Sequence, residues 1–337
     1  QIRRSTGRTA PRPTIPADLA TCAACLEEIR TPTQRRYGYP FTNCTNCGPR
    51  WSIIKRLPYD RRRTSMARFV MCPDCRTEYE DPTNRRFHAQ PVACPRCGPR
   101  VTFQASPGRG GAREGASGSG PEDLAAAVDA VRAGRVVAVK GIGGYHLVCD
   151  ALNEEAIRRL RERKPRPDKP LAVMFPGDEE LKTLRRFVAP GAVHERALSD
   201  PMRPIVLTPK REGSGLAEGI APGLEEIGAF LPYSPLHHLL LDALGLPIVA
   251  TSANVSGEPV LTENHEVERR LGHVAEAYLH HDRPIRRPAD DPVYRVLAGQ
   301  ARPIRLGRGC APVERGLPFR LPRPVLAVGG HMKNTVA

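Results

Sequence analysis

The sequence predicts an α/β domain preceded by a small, irregular module built on two four-cysteine metal sites. Three observations carry this expectation. Eight of the ten cysteines fall in four Cys-x-x-Cys pairs between Cys22 and Cys97. A Gly/Ser-rich stretch follows at 105–120. Beyond it, β-branched runs alternate with helix-type segments, as in domains where helices cover a largely parallel or mixed sheet.

The cysteine segment repeats itself. Eighteen residues separate Cys25 from Cys44, and eighteen again separate Cys75 from Cys94. Thr31-Pro-Thr-Gln-Arg-Arg-Tyr37 matches Asp81-Pro-Thr-Asn-Arg-Arg-Phe87 at an offset of fifty residues, and Cys47-Gly-Pro-Arg50 matches Cys97-Gly-Pro-Arg100. Two residues between thiolates let one tight turn offer two ligands, and two such turns complete a tetrahedron. Zn²⁺ accepts four soft thiolates without redox demand, and four protein ligands leave no open position for catalysis. Two structural Zn²⁺ sites are therefore expected. The repeat groups Cys22, Cys25, Cys44 and Cys47 apart from Cys72, Cys75, Cys94 and Cys97; a nested pairing of outer and inner turns fits the same spacing. Two disulfide-bonded modules are the competing reading.

Charge and composition narrow the function classes. The formal charge is +15, and two four-thiolate zinc sites of charge −2 each lower it to about +11. Arg35, Arg36, Arg50, Arg85, Arg86 and Arg100 stand inside or beside the repeats as internal counter-charges. Aromatic residues are 5% of the chain, too few for the stacking platforms of a single-strand binder, so nucleic acid is not the expected partner. No apolar run approaches the length of a membrane span.

In order, residues 1–18 read as a linker and 19–104 as the zinc module, with Trp51-Ser-Ile-Ile54 as a short strand-like run inside it. Residues 105–120 form a flexible tether, which predicts that the module and the α/β domain fold separately. A helix opens at Pro121, with Glu122 and Asp123 in its first turn and Gly134 beyond its end. Arg135–Lys140, Leu171–Phe175, Pro204–Thr208 and Pro247–Thr251 read as strands. Asn153 caps a helix running to Lys164, and a Leu-rich helix covers 235–244. The domain extends over 121–320, and residues 324–337 begin another strand.

Three clusters of polar residues fall at element ends. Lys140-Gly-Ile-Gly-Gly-Tyr-His146 follows a strand; it lacks the signature of a P-loop or a dinucleotide fingerprint, and a plain turn explains it as well as an anion cradle. Lys164-Pro-Arg-Pro-Asp-Lys169 puts three cations on a proline-stiffened loop, where phosphate is a natural partner and a solvated helix end the bland alternative. Thr251-Ser-Ala-Asn254 places hydroxyls and an amide at the carboxyl end of a strand, where α/β sheets bind ligands, unless it merely caps a helix. Asp290, Asp291, Arg305 and Arg308 are further candidates, and His237-His238 reads as packing and capping.

These segments carry a resemblance. Lys164-x-Arg166 with Ser252-x-Asn254 resembles the KxR…SxN pattern of the YrdC-like family, which makes carbamoyl-adenylates from ATP. Joined to the doubled Cys motif, and with Asn43–Pro49, Arg86–Pro91, Lys140–His146 and Pro232–His238, it is similar over nearly the whole chain to the HypF family of carbamoyltransferases in [NiFe]-hydrogenase maturation. The resemblance implies a twisted mixed YrdC-like sheet. It also implies an acylphosphatase domain before residue 1 and a Kae-type carbamoyltransferase domain whose first strand is 324–337.

The function so implied is cytoplasmic: carbamoyl phosphate yields carbamate, ATP converts it to carbamoyl-AMP and pyrophosphate, and the carbamoyl group passes to the C-terminal cysteine of a HypE-type acceptor. This chain would carry the adenylation step. Lys164, Arg166 and Lys169 would bind the triphosphate, Thr251, Ser252 and Asn254 the adenylate, and Lys140 and His146 the carbamate. Arg305 would touch phosphate, and Mg²⁺ would accompany ATP. Threonylcarbamoyl-AMP synthesis for tRNA modification is the rival enzyme reading; a zinc-ribbon docking module for nucleic acid or protein is the non-enzymatic one.

Overall fold

The computed structural model describes residues 15–106, 120–165, 169–313 and 316–328. Most of the two expected linkers, Arg166, and residues 329–337 lie outside them.

The elements run α1 (Ala23–Arg30), α2 (Pro73–Glu80), β1 (Val101–Ala105), α3 (Pro121–Arg132), β2 (Val137–Lys140), β3 (Tyr145–Asp150), α4 (Glu154–Arg163), β4 (Ala172–Met174), α5 (Lys182–Phe187), α6 (Ala192–Ser199), β5 (Ile205–Pro209), β6 (Glu226–Phe230), α7 (Pro235–Leu244), β7 (Ile248–Ser252), α8 (Asn264–Leu271), β8 (Ala277–His281), β9 (Val293–Leu297) and β10 (Gln300–Arg305). The ten strands form one mixed sheet in the order β1-β8-β2-β3-β7-β4-β6-β5-β9-β10. Local chemistry sets the helix ends. Asn153 accepts from the Ala156 amide ahead of α4, and Ser234 accepts from the His237 amide ahead of α7. Gly245 ends α7 with a φ of 71°, the left-handed stop that glycine permits without penalty.

Each face of the sheet has its own core. On one, Tyr145, Leu147 and Val173 meet Leu160 of α4 and Val267 of α8. On the other, Val137, Val139 and Val148 meet Val128 of α3 and Leu240 of α7. The second core also takes in Tyr39, Phe41, Ile53, Met66 and Ala93, all from the cysteine module. The module is therefore docked on the sheet through a shared apolar core rather than held apart from it by the tether. Polar contacts fix the docking. Arg30 of α1 makes a two-pronged ion pair with Asp242 of α7, both contacts at 2.7 Å. Arg283 stands over Phe41, and Arg287 lies 4.7 Å above the Trp51 ring while donating to the Ile54 carbonyl.

Two boundaries differ from the sequence reading. Val101–Ala105, placed at the end of the zinc module, is the outermost strand of the sheet, antiparallel to β8. Asp18, assigned to the leading linker, is fully buried and accepts hydrogen bonds from the Arg50 amide and from the amide and hydroxyl of Ser52. A buried carboxylate needs such partners, and they lie 32 and 34 residues away, beyond the reach of a local reading. Trp51–Ile54 is turn rather than strand; only Ile54 forms a bridge, to Thr64.

Candidate functional site

The eight cysteines gather as the repeat suggested, so the nested pairing is excluded. Cys22, Cys25, Cys44 and Cys47 form one cluster, and Cys72, Cys75, Cys94 and Cys97 the other. Their sulfurs stand 3.6–3.8 Å apart. A tetrahedron with Zn–S bonds of about 2.3 Å has edges of roughly 3.8 Å, so each set fits Zn²⁺.

Each half of the module supplies arginines to the other half's thiolates. Arg35 Nη1 and Arg36 Nη2 donate to Cys75 Sγ, both at 3.4 Å, and Arg85 Nη1 donates to Cys25 Sγ at 2.9 Å. Between them lie two glutamates fifty residues apart. Glu28 is paired with Arg36, Arg85 and Arg86, and Glu78 with Arg35 and Arg36. Burial pushes the Glu78 carboxyl up, but these guanidiniums outweigh it and hold it at about 2.

The second site lies on the sheet. Lys164, just beyond α4, donates through Nζ to the Ser252 carbonyl and, at 3.2 Å, to Asn254 Oδ1. Ser252 Oγ donates to the same oxygen at 2.9 Å, and the Asn254 amide is anchored on the carbonyls of Val255 and Glu258. Two motifs 88 residues apart thus form one network. A cavity of about 250 Å³ opens beside it, lined in part by His146, Lys169, Thr251, Ser252, Asn254 and Arg305. These six, with Asp290 and Asp291, are residues singled out in the sequence, and they converge there.

Behind the cavity wall is a buried polar chain. His146 Nε2 lies 2.9 Å from Asp291 Oδ2, whose other oxygen accepts from Arg308 Nε at 2.9 Å. Burial alone would raise the Asp291 carboxyl; Arg308 and His146 reverse this and hold it well below the usual carboxylate range. Arg308 is 1% exposed and sits 3.3 Å over the Tyr233 ring. Arg305 donates twice to the Asp291 carbonyl, at 3.0 and 2.6 Å. Tyr233 lay in the Pro232–His238 segment that carries the resemblance, but its place under Arg308 had no sequence signal.

Lys140, expected with His146 beside the carbamate, is placed elsewhere. In the β2–β3 ladder Lys140 pairs with Tyr145 and Val139 with His146. Strand alternation therefore sends Lys140 and His146 to opposite faces. Lys140 is 3% exposed, with Nζ bonded to Asn264 Oδ1 at 2.6 Å and the His281 carbonyl at 3.2 Å. The glycines between them are a packing device: a Cβ on Gly143 would meet the Ala289 carbonyl oxygen at 2.4 Å, and one on Gly144 would meet Val260 at 2.5 Å.

Burial lowers the Lys140 ammonium to about 8 from its ordinary 10.5. The unfolded chain therefore holds more protons than the folded one between those values, so this group makes stability rise with pH across the window and carries its full penalty below it. Lys140→Met should remove that dependence. The stability difference between the two proteins, measured by urea unfolding, is expected to change by roughly 3 kcal/mol between pH 7 and 10.5. A constant difference across that range would show that Lys140 is not desolvated.

Comparison with known proteins agrees with this geometry. A family model described as "Telomere recombination", the Sua5–YciO–YrdC model, matches residues 129–307, and a HypF finger model matches 21–54 and 71–104. Carbamoyltransferase HypF of Synechocystis is 51% identical over 320 residues, covering 95% of this chain and 40% of the relative. The solved HypF of T. kodakarensis superposes with a TM-score of 0.83 at 42% identity, covering 95% of this chain and 41% of that one. A full-length HypF in a phosphate- and nucleotide-bound form gives 0.81 at 45% identity, covering 88% and 38%. The chain thus spans about 40% of the length of these relatives. With its tandem fingers ahead of a Sua5–YciO–YrdC domain, it belongs to the HypF family as a segment of that architecture.

Proposed function

We propose that this chain carries the carbamate-adenylating step of a carbamoyltransferase. The observation that carries the reading is the meeting of Lys164 with Ser252 and Asn254 at the rim of a cavity that also holds Lys169, Arg305 and His146. A carbamate oxygen attacks the α-phosphorus of ATP. The α–β bridging P–O bond breaks, and pyrophosphate leaves with the electron pair. Positioning and charge stabilisation suffice, because carbamate is itself the nucleophile. Lys164, Arg166 and Lys169 neutralise the phosphates, Arg305 adds a further contact, and Thr251, Ser252 and Asn254 orient the adenylate. Mg²⁺ accompanies the triphosphate. In the complete protein the carbamoyl group derives from carbamoyl phosphate and passes to a HypE-type thiol in the cytoplasm. The nucleotide and phosphate bound by the solved HypF relative support the substrate class.

Lys164→Ala tests this. Incubated with ATP, Mg²⁺ and carbamate formed from bicarbonate and ammonia, the native chain is expected to yield carbamoyl-AMP by mass spectrometry, and the variant at least about 100-fold less, the scale of losing one charge-stabilising donor. An adenylate that forms only with L-threonine would move the chain to threonylcarbamoyl-AMP synthesis.

A further inference from the structure

The arginines of the cysteine module cross between its halves at more than the thiolates. α1 carries Cys25 and Glu28 one turn apart, and α2 carries Cys75 and Glu78 in the same way, so each helix turns a metal ligand and a carboxylate to one side. The loop after α1 sends Arg35 and Arg36 to Cys75, and the loop after α2 sends Arg85 to Cys25. Arg36 Nε also donates to the Ala93 carbonyl at 2.7 Å, and Arg86 Nε to the Asn43 carbonyl at 3.1 Å. Ala93 and Asn43 stand directly before Cys94 and Cys44. Each half therefore holds both ligand turns of the other half's cluster, the helical one at its thiolate and the later one at its backbone. Inside the Cys44–Cys47 turn, the Thr45 amide donates to the Arg85 carbonyl at 3.1 Å and tightens the crossing.

Such an arrangement links occupancy to occupancy. A loaded cluster fixes its own helix and, with it, the arginine loop that follows. Those arginines then meet the opposite thiolates as charge-assisted donors. An empty cluster frees that loop, and the opposite thiolates lose their counter-charge. We infer that the two clusters load and release zinc as one unit, each raising the other's affinity by about tenfold or more, with equal factors in both directions. Nothing in this coupling depends on the reaction at the sheet.

Native mass spectrometry of the full chain, kept dilute and equilibrated in buffered Zn²⁺ at half loading, reads the coupling directly. Two independent sites, equal or unequal, leave roughly half or more of the molecules with a single ion; a tenfold coupling between like sites leaves about a quarter. Empty and doubly loaded chains are therefore expected to dominate. Arg35→Gln combined with Arg85→Gln keeps all eight ligands and replaces two side chains that are 33% and 32% exposed. In that variant the singly loaded share should rise to about half, with the doubly loaded species still reached in excess zinc. With ¹¹³Cd in place of zinc, Arg85→Gln alone should move the resonance of the first cluster and Arg35→Gln that of the second, assigned with Cys22→Ser and Cys97→Ser. A native chain that is half or more singly loaded overturns the proposal, and that reading needs no variant. A share that stays near a quarter in the double variant overturns it too, because the shared core and not the arginines would then carry the coupling.

Discussion

Stripping both zinc ions is expected to lower the melting midpoint of the whole sheet, not only to unfold the first hundred residues. Structural zinc supplies roughly 10–16 kcal/mol of apparent folding free energy per site in finger peptides, as much as the total stability of an ordinary domain, so the module cannot survive the loss. The sheet then loses its cover. Tyr39, Phe41, Ile53 and Met66 are buried in the same cluster as Val137, Val139, Val128 and Leu240. Large apolar side chains contribute about 1.5–3 kcal/mol each on burial, and a domain of this size shifts by roughly 2–4 °C per kcal/mol. A drop well above 10 °C follows, read by near-ultraviolet circular dichroism in the presence of a chelator and by amide exchange of β3 and β7. Unchanged protection of those two strands after zinc removal would show that the docked module contributes nothing to the sheet.

The largest effect of a single substitution is expected at Glu28. Its carboxylate holds Arg36, Arg85 and Arg86, of which Arg36 and Arg86 are almost fully buried. Removing one partner from a buried ionic cluster leaves uncompensated charge and costs about 3–5 kcal/mol. The same arginines contact Cys25 and Cys75, so Glu28→Ala should also speed zinc release from both clusters, measured with a colourimetric chelator. Glu162→Ala serves as the control: Glu162 pairs with Arg158 on an exposed helix face, where such pairs are worth about 0.3–0.5 kcal/mol. Equal melting midpoints for the two variants would remove the cluster from the account of stability.

What the sequence disclosed and what it hid divide along a physical line. Thiolate spacing, the Asn153 cap and the apolar runs of the α/β domain from Arg135 to Thr251 are local, and their elements appear within a residue or two of expectation, whereas Trp51–Ile54 does not form its strand. The β9–β10 hairpin escaped because its turn uses Ala298 and Gly299, both at positive φ, where Asn-Gly or Asp-Gly is the usual signal. Asp18, the docking of the module and the orientation of Lys140 depend on partners far along the chain. At the proposed site, the Lys164 and Ser252–Asn254 motifs were legible as residue types in a family pattern. Asp291 and Arg308 were candidates as residue types, but their pairing over Tyr233 was not legible, since a buried ion pair stacked on an aromatic has no spacing of its own.

The position of β1 bears on how the protein behaves in a crowded solution. Sheet edges offer unpaired amides and carbonyls to any strand that passes, and proteins blunt them with charge, proline or a covering segment. At one end β10 carries Arg302, Pro303 and Arg305, a poor template for a newcomer. At the other, β8 is apolar at Ala277 and Leu279 and would make a good one; β1 occupies it along five residues. Because β1 begins four residues after Cys97, the metal sites also guard that edge. Metal-depleted protein should therefore clump through β8 rather than merely lose activity, and its solubility becomes a direct report on the fingers.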